Sequence, residues 1–286
     1  MIRRFFVSAV LIVSSVSGAE LRQETVSAWK QYVQSADATM QSRLRPGHAF
    51  MWVDEAPGRR QQLRAGEILV TGVGESNPKK VPAGLIHHWM GAVFVPNAKI
   101  DDVLGVVRDY PHYKDYYNPS VIDSHAIHQT PSSDRFSMLL MNKSFFLKTA
   151  LDSEYESSYV QAGSHRWYSI ATAVRVQEVE DYGEAGQHEL PADEGNGYVW
   201  RMHSIARYEE ADGGVYIELE AIALSRDVPI ALRWMVDPIV RRVSRGAIFT
   251  SLQQTLGAVS SSGQFAGRPV TNPGLTLGFQ QSSFVH

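Results

Sequence analysis

The chain has 286 residues, no cysteine, a formal net charge of −3, and 20% charged against 44% hydrophobic residues. That composition excludes a disordered chain, a coiled coil and a fibrous repeat, and the slight negative charge argues against a nucleic-acid partner, which calls for a basic excess. Without cysteine there is no disulfide, thiolate metal site, iron–sulfur cluster or cysteine nucleophile.

Residues 1–19 read as a secretory signal. Arg3 and Arg4 form a positive start, Phe5 to Val13 an apolar run, and Ser17 and Ala19 the small residues of a cleavage site. The run is shorter than the roughly 20 residues that cross a bilayer. Cleavage would leave an exported protein, periplasmic or secreted; an uncleaved anchor is the alternative. Residues 20–45 predict a helix, with Val26, Trp29, Val33, Met40 and Leu44 near helical spacing. Arg45-Pro46-Gly47 stops it. Two apolar runs, Phe50 to Val53 and Glu67 to Thr71, flank a polar stretch. The segment 20–83 is thus an N-terminal extension, too short and too polar to bury a core of its own.

From Gly84 the pattern changes. Leu85 to Val95 predicts a long strand and Ile100 to Tyr110 a helix, with Asp101 and Asp102 in its first turn. Strands follow at 120–128, 135–141, 145–156, 165–178, 198–208 and 215–225, separated by turn-forming clusters such as Asp212-Gly213-Gly214. A helix from Val228 to Val259 closes the domain, with Pro238 expected to kink or restart it. The tail 260–286 is rich in Ser, Gly and Gln and is expected to be loose. No strand alternates with a long crossover helix, so a doubly wound parallel sheet does not fit.

One hairpin sorts the faces. With Asp212-Gly213 as the turn, Arg207 faces Glu218 and Ile205 faces Glu220. Arg201 and His203 share that face, which is expected to point to water. The opposite face carries Trp200, Met202, Ser204, Ala206, Ile217, Leu219, Ala221 and Ala223, a mixture of large and small groups that leaves room beneath a helix. By the same alternation Phe136, Met138 and Leu140 point inward.

Catalytic motifs are sparse: there is no G-x-S-x-G elbow, P-loop or H-E-x-x-H. His87 and His88 are strand neighbours, so they point to opposite faces and cannot share an ion. An enzyme would need a polar group inside the concavity, for which His87, His88, Tyr168, His203 and Glu220 are the candidates. The paired acids Glu209-Glu210 read as solvated surface.

The run from Leu85 to Pro96, then Asp102 to Tyr110, Tyr116-Tyr117-Asn118-Pro119, and Glu220 to Pro229 with its following helix resembles the START-like superfamily, which includes lipid-transfer and polyketide cyclase/dehydrase-like proteins. The resemblance covers roughly residues 84–259. It implies an α+β helix-grip fold, in which a curved antiparallel sheet wraps a long C-terminal helix around an apolar cavity. It further implies non-catalytic binding or transport of a hydrophobic small molecule, lipid or isoprenoid-like. A cyclase/dehydrase- or hydrolase-like enzyme using the same cavity is the rival reading. No catalytic residue, cofactor or metal carries over from the resemblance. The residues expected to line the cavity are Trp89, Phe136, Met138, Leu140, Trp200, Met202, Leu219 and Trp234, the last at the cavity mouth. The tyrosine-rich segment Pro111 to Pro119 is expected to be a movable lip, and transient membrane contact is compatible with such a carrier.

Overall fold

The computed structural model describes residues 19–142 and 149–266. The signal reading of residues 1–18, the start of the strand expected at 145–156, and the tail beyond 266 lie outside the described residues. In chain order the elements are β1 (Ala19–Glu20), α1 (Gln23–Arg43), a 3-10 turn (Trp52–Glu55), α2 (Arg59–Arg64), β2 (Leu69–Gly72), β3 (Lys79–Val81) and β4 (Gly84–Pro96). Next come α3 (Ile100–Val107), a 3-10 turn (Tyr110–His112), α4 (Tyr113–Tyr116), β5 (Val121–Gln129) and β6 (Ser133–Asn142). They continue as β7 (Thr149–Gly163), β8 (Arg166–Glu180), β9 (His188–Glu189), β10 (Glu194–Gly195), β11 (Arg201–Ala211), β12 (Gly214–Arg226) and α5 (Ile230–Ala266).

The main sheet runs β2-β4-β12-β11-β8-β7-β6-β5, with β3 on β4 and β9 on β8, and every pairing is antiparallel. It is an open, curved sheet, and the ladders β5–β6 and β7–β8 each carry two register shifts. Such bulges add local twist and bend, which is how a long sheet curls around a helix. The long helix grips the concave side, chiefly through β4, β2, β12, α3 and α4. The helix-grip arrangement implied by the resemblance is therefore the fold of this chain. α5 runs unbroken through Pro238 and continues to Ala266, so the first residues of the expected loose tail are helical. A proline within a helix removes one backbone hydrogen bond, but the remaining ladder is long enough to carry on past it.

The hairpin register holds as read: Arg207 pairs with Glu218 and Ile205 with Glu220 across Asp212-Gly213. The expectation that this face points to water does not hold. Arg207 and Glu218 are wholly buried, and His203, Glu220 and Glu209 nearly so. The reason is the N-terminal extension. α1 and the segment 50–63 lie over the convex face, and Trp29, Met40, Phe50, Met51, Val53 and Leu63 form one core with Ile86, Ala92, Phe94, Ile205, Ile222 and Leu224 of the sheet. The extension cannot bury a core alone, so it borrows the back of the sheet, and β2 and β3 join the ladder beside β4.

The charged groups and histidines trapped there are each partnered. Arg207 donates through Nε to Glu218 (2.8 Å) and through an Nη to Glu220 (2.9 Å), and its other contacts are the sulfurs of Met40 and Met90. Glu218 accepts the backbone N–H groups of Trp52 and Val53, so it ties the extension to the sheet. Glu220 is bonded to His88 (2.9 Å), and His88 in turn to the Tyr32 hydroxyl of α1 (2.9 Å). His203 bridges Thr172 and Asp37 of α1. Glu209, expected on the surface, is buried between Arg60 of α2 and Arg166. Buried charges of this kind need both partners, because either one alone would bear the full cost of desolvation.

Candidate functional site

The concave face is built in three stretches. The first is where α5 lands on β4. Gly91 makes that landing possible: a Cβ there would sit 2.6 Å from Leu252 Cδ1 and 2.8 Å from Ile248 Cγ2. The absent side chain lets the helix settle close, with Leu252, Ala258 and Val259 buried beside Val93, Val95, Val103 and Ile217. Trp89 lies under the helix and donates its indole N–H to Ser244 Oγ at 3.0 Å.

The second stretch, over β5–β7, is filled by protein. Tyr110 stacks on Phe136 with ring centroids 4.0 Å apart, and Phe136 stacks on Tyr155 at 5.0 Å. The Tyr110 hydroxyl donates to Asp134 and meets Tyr159, while Arg108 holds the same aspartate through two nitrogens. Burial pushes the Tyr110 and Tyr159 hydroxyls well above the ordinary phenol range, so both stay protonated. The tyrosine-rich segment expected to be a movable lip is latched in this structure: Tyr117 bonds Thr255 of α5 (3.1 Å), and Gln254 donates to the Asn118 carbonyl (2.7 Å).

The third stretch is different. Along the concave side of β11 and β12, and on β6, which β8 and β7 separate from them in the sheet, the apolar residues are only half-buried: Met138, Leu140, Met202, Ala206, Leu219, Ala221 and Ala223; Met138, Leu140 and Met202 pack against one cluster. On β11 and β12, the convex residues from Tyr216 through Leu224 and from His203 through Glu209 are buried. The sheet therefore seals its charged back and leaves an apolar strip half-open on its inside. The small side chains of Ala206, Ala221 and Ala223 keep that strip shallow-walled, as the mixture of large and small residues implied.

The residues singled out from sequence fall into five places. Met138, Leu140, Met202 and Leu219 border the open strip. Phe136 is in the aromatic stack and Trp89 lies beneath α5. Trp200 is buried with the extension-side cluster, beside Leu21 and Leu224, because β11 starts only at Arg201 and the alternation does not yet govern it. Trp234, on the opening turns of α5, is 80% exposed.

Of the polar candidates, His88, Tyr168, His203 and Glu220 all lie on the convex face under α1, where Tyr168 meets Gln41. His87 alone projects to the concave side, opposite Ala223. Its Nε2 is 2.9 Å from Ser225 Oγ, and its Nδ1 is buried with no hydrogen-bond partner. Burial lowers its pKa to about 4, against a smaller opposing pull from Asp237 of α5. His87 is therefore a neutral imidazole at pH 7. Sequence reasoning placed it among the candidates but had no means of ranking it above its neighbours. Among the described residues no cluster of three or more metal-ligating side chains occurs. A separate cleft of about 420 Å³ lies at the hairpin end of the sheet, lined by Asn97, Lys99, His165, Glu210 and Gly213.

No protein-family model matches the chain, and no curated protein matches it. Solved structures do resemble it. A STAR-related lipid transfer protein from Xanthomonas axonopodis is 17% identical with a TM-score of 0.46, covering 66% of this chain and 98% of its own. The Zhui aromatase/cyclase from Streptomyces sp. R1128 is 14% identical, TM-score 0.43, covering 64% and 98%. Human STARD10 is 10% identical, TM-score 0.43, covering 78% and 86%. At these levels the likeness is one of chain path, and the chemistry of the concave face comes from the residues that line it.

Proposed function

We propose that this chain binds and carries a hydrophobic small molecule, lipid- or isoprenoid-like, without transforming it. The observation that carries the reading is the half-open strip of Met138, Leu140, Met202, Leu219, Ala221 and Ala223 on a sheet whose other face is sealed. Covering that strip with an apolar ligand removes hydrocarbon from water on both sides, at about 25 cal/mol per Å². Unbranched methionines at its edges adapt to irregular apolar shapes. The distribution of polar groups supports binding over catalysis: four of the five acid–base candidates are engaged beneath α1, away from the strip.

The reading includes export, from the signal-like residues 1–19, and a membrane as donor or acceptor of the ligand. The outer face of α5 suits a membrane carrying anionic lipids. Trp234, Pro238, Arg241, Arg242, Arg245 and Phe249 are all exposed and fall within one arc of the helix. The three arginines make no ion pair among the described residues, and Asp237 is the sole acid in α5. Arginines flanked by exposed aromatics match an anionic interface, where each basic residue contributes about 1 kcal/mol.

Native mass spectrometry of the purified protein after exposure to tetradecan-1-ol vesicle mixtures tests the binding reading. A one-to-one complex is expected for the wild type and none for Ala221→Trp, whose indole fills the strip. Equal occupancy in both proteins, or none in either, defeats it.

A further inference from the structure

Among the described residues the concave face holds two buried polar side-chain atoms without a hydrogen-bond partner, Ser153 Oγ opposite Met138 and His87 Nδ1, and the second borders the half-open strip of β12 through Ala223. His87 is 5% exposed, and its Nδ1 is the imidazole nitrogen without a partner. The Ser225 hydroxyl fixes the tautomer. Ser225 Oγ lies 2.9 Å from His87 Nε2 and 3.3 Å from the Arg226 carbonyl oxygen, which can only accept. If Ser225 donates to that carbonyl, Nε2–H donates to Ser225 and Nδ1 is a bare lone pair. The reverse tautomer would bury an N–H with nothing to receive it, the rarer and costlier defect in proteins.

Nothing in the fold requires such an acceptor there. The pairing position opposite is Ala223, half-buried in the open strip, and β4 flanks His87 with Leu85 and Trp89 on the same face. A leucine would fill the position and leave no orphan. The side chain closest in charge is Asp237 on α5, a residue before Pro238, where the helix has already lost one backbone hydrogen bond. The imidazole thus sits between the apolar strip and the least tightly laddered stretch of the gripping helix.

We infer that His87 Nδ1 is the anchor for a hydroxyl on the ligand, so that the carried molecule is an alcohol: a long apolar body ending in a neutral O–H donor. This rests on the binding reading above and specifies its ligand class. The hydroxyl donates to Nδ1 while the hydrocarbon lies along Ala223, Ala221, Met202 and Leu219. A carboxylate is disfavoured, because at neutral pH it has no proton to give and would face a lone pair inside a low-dielectric site. A methyl ether is disfavoured for the same lack of a donor. The stretch of α5 before Pro238 moves outward to admit the head group, since Nδ1 is shielded from solvent when the helix is seated.

Two probes of equal body settle the matter: tetradecan-1-ol and its methyl ether, titrated against protein-bound anilinonaphthalene sulfonate at pH 7. The wild type is expected to prefer the alcohol by on the order of tenfold, the size of one buried hydrogen bond with its orphan removed. His87→Phe is expected to bind both probes alike, at the affinity of the ether. In the intact wild type, the His87 Nδ1 nitrogen resonance is expected to move from the free-acceptor position toward the hydrogen-bonded one on adding the alcohol and to stay fixed with the ether. Equal affinity of the wild type for both probes, or a preference that survives His87→Phe, overturns the anchor while leaving the binding reading intact. Failure of both probes to displace the dye overturns the binding reading and the anchor with it.

Discussion

Arg207 and Glu218 stand directly across the β11–β12 ladder, 2.8 Å apart, and neither side chain is exposed at all. A pair in that position on an ordinary half-solvated sheet would contribute a few tenths of a kcal/mol. Here it is a joint, since the same carboxylate accepts the amides of Trp52 and Val53 from the N-terminal extension. Arg207→Met, which suits the surrounding Met40 and Met90, leaves Glu218 and Glu220 buried without their cation. The expected loss is about 3–5 kcal/mol, read as a lowered urea midpoint. An unchanged midpoint would mean that the joint carries no weight.

The extension should prove inseparable from the sheet. Trp29 and Met40 of α1 are 5% and 1% exposed, in one cluster with Ile205, Ile222 and Leu224. Trp29→Ala is expected to cost about 3–5 kcal/mol and Met40→Ala about 2–5 kcal/mol. Removing residues 20–72 should yield a chain that does not unfold cooperatively, because it bares Arg207, Glu218 and Glu220 as well as the apolar back of the sheet. A sharp thermal transition in the truncated protein would contradict this.

The same joint explains which parts of the molecule could be read from sequence. Alternation along β4, β11 and β12 and the Asp212-Gly213 turn gave the correct register and the correct division into two faces, because both depend only on neighbours in the chain. Which face meets water depends on what covers it, and α1 lies 166 positions from His203, the residue it contacts through Asp37. Its apolar stripe was legible, but its docking place was not. Trp200 was misplaced for a local reason, since it precedes the first residue of β11. The concave orientation of Met138, Leu140, Met202 and Leu219 was legible from period-two alternation. The aromatic stack of Tyr110, Phe136 and Tyr155 was not, because it joins a connecting turn to two strands. The vacant nitrogen of His87 was equally hidden, for it is a property of what fails to arrive.

Gly91 sets how close α5 comes to β4. Gly91→Ala places a methyl within 3 Å of both Leu252 and Ile248, so the helix must shift or the leucine must leave its rotamer. Overpacking of this kind costs about 1–3 kcal/mol. Leu252→Ala alone opens a cavity and is expected to cost about 2–5 kcal/mol. The double variant should be more stable than the sum of the two losses implies, because each change relieves the other. Strict additivity in chemical denaturation would show that the two residues do not share the contact.

The exposed face of α5 separates membrane contact from folding. Trp234→Ser alters a residue that is 80% exposed, so stability should stay within about 0.5 kcal/mol of the parent. Sedimentation with vesicles rich in phosphatidylglycerol should nonetheless fall, and the triple change Arg241→Glu, Arg242→Glu and Arg245→Glu should abolish it. Binding by the parent should weaken as salt rises, since exposed charges are screened beyond about 10 Å at 0.1 M. Salt-independent binding, or binding that survives the triple change, would rule out this face as the contact.

Acid should destabilise the protein in two overlapping steps. Desolvation lowers the pKa of His87 from 6.5 to about 4. Glu220, although burial opposes its charge, is held at about 2 instead of 4.5 by His88 and Arg207. In both cases the folded value lies below the unfolded one, so the unfolded state takes up protons first as pH falls, and stability drops. The His87 contribution is complete above pH 6.5 and is lost progressively down to about pH 4. The Glu220 contribution is complete above pH 4.5 and is lost toward pH 2. His203, also lowered by desolvation against the pull of Asp37, adds to the first step with the same sign. His87→Gln removes one titrating group without charging the site, so its stability should fall less steeply between pH 6.5 and 4, by up to about 3 kcal/mol over that window. Below pH 4 the two profiles should run parallel, since Glu220 is untouched. Urea midpoints measured across pH 3–8 for both proteins check this, and identical slopes above pH 4 would mean that His87 is not held neutral by burial.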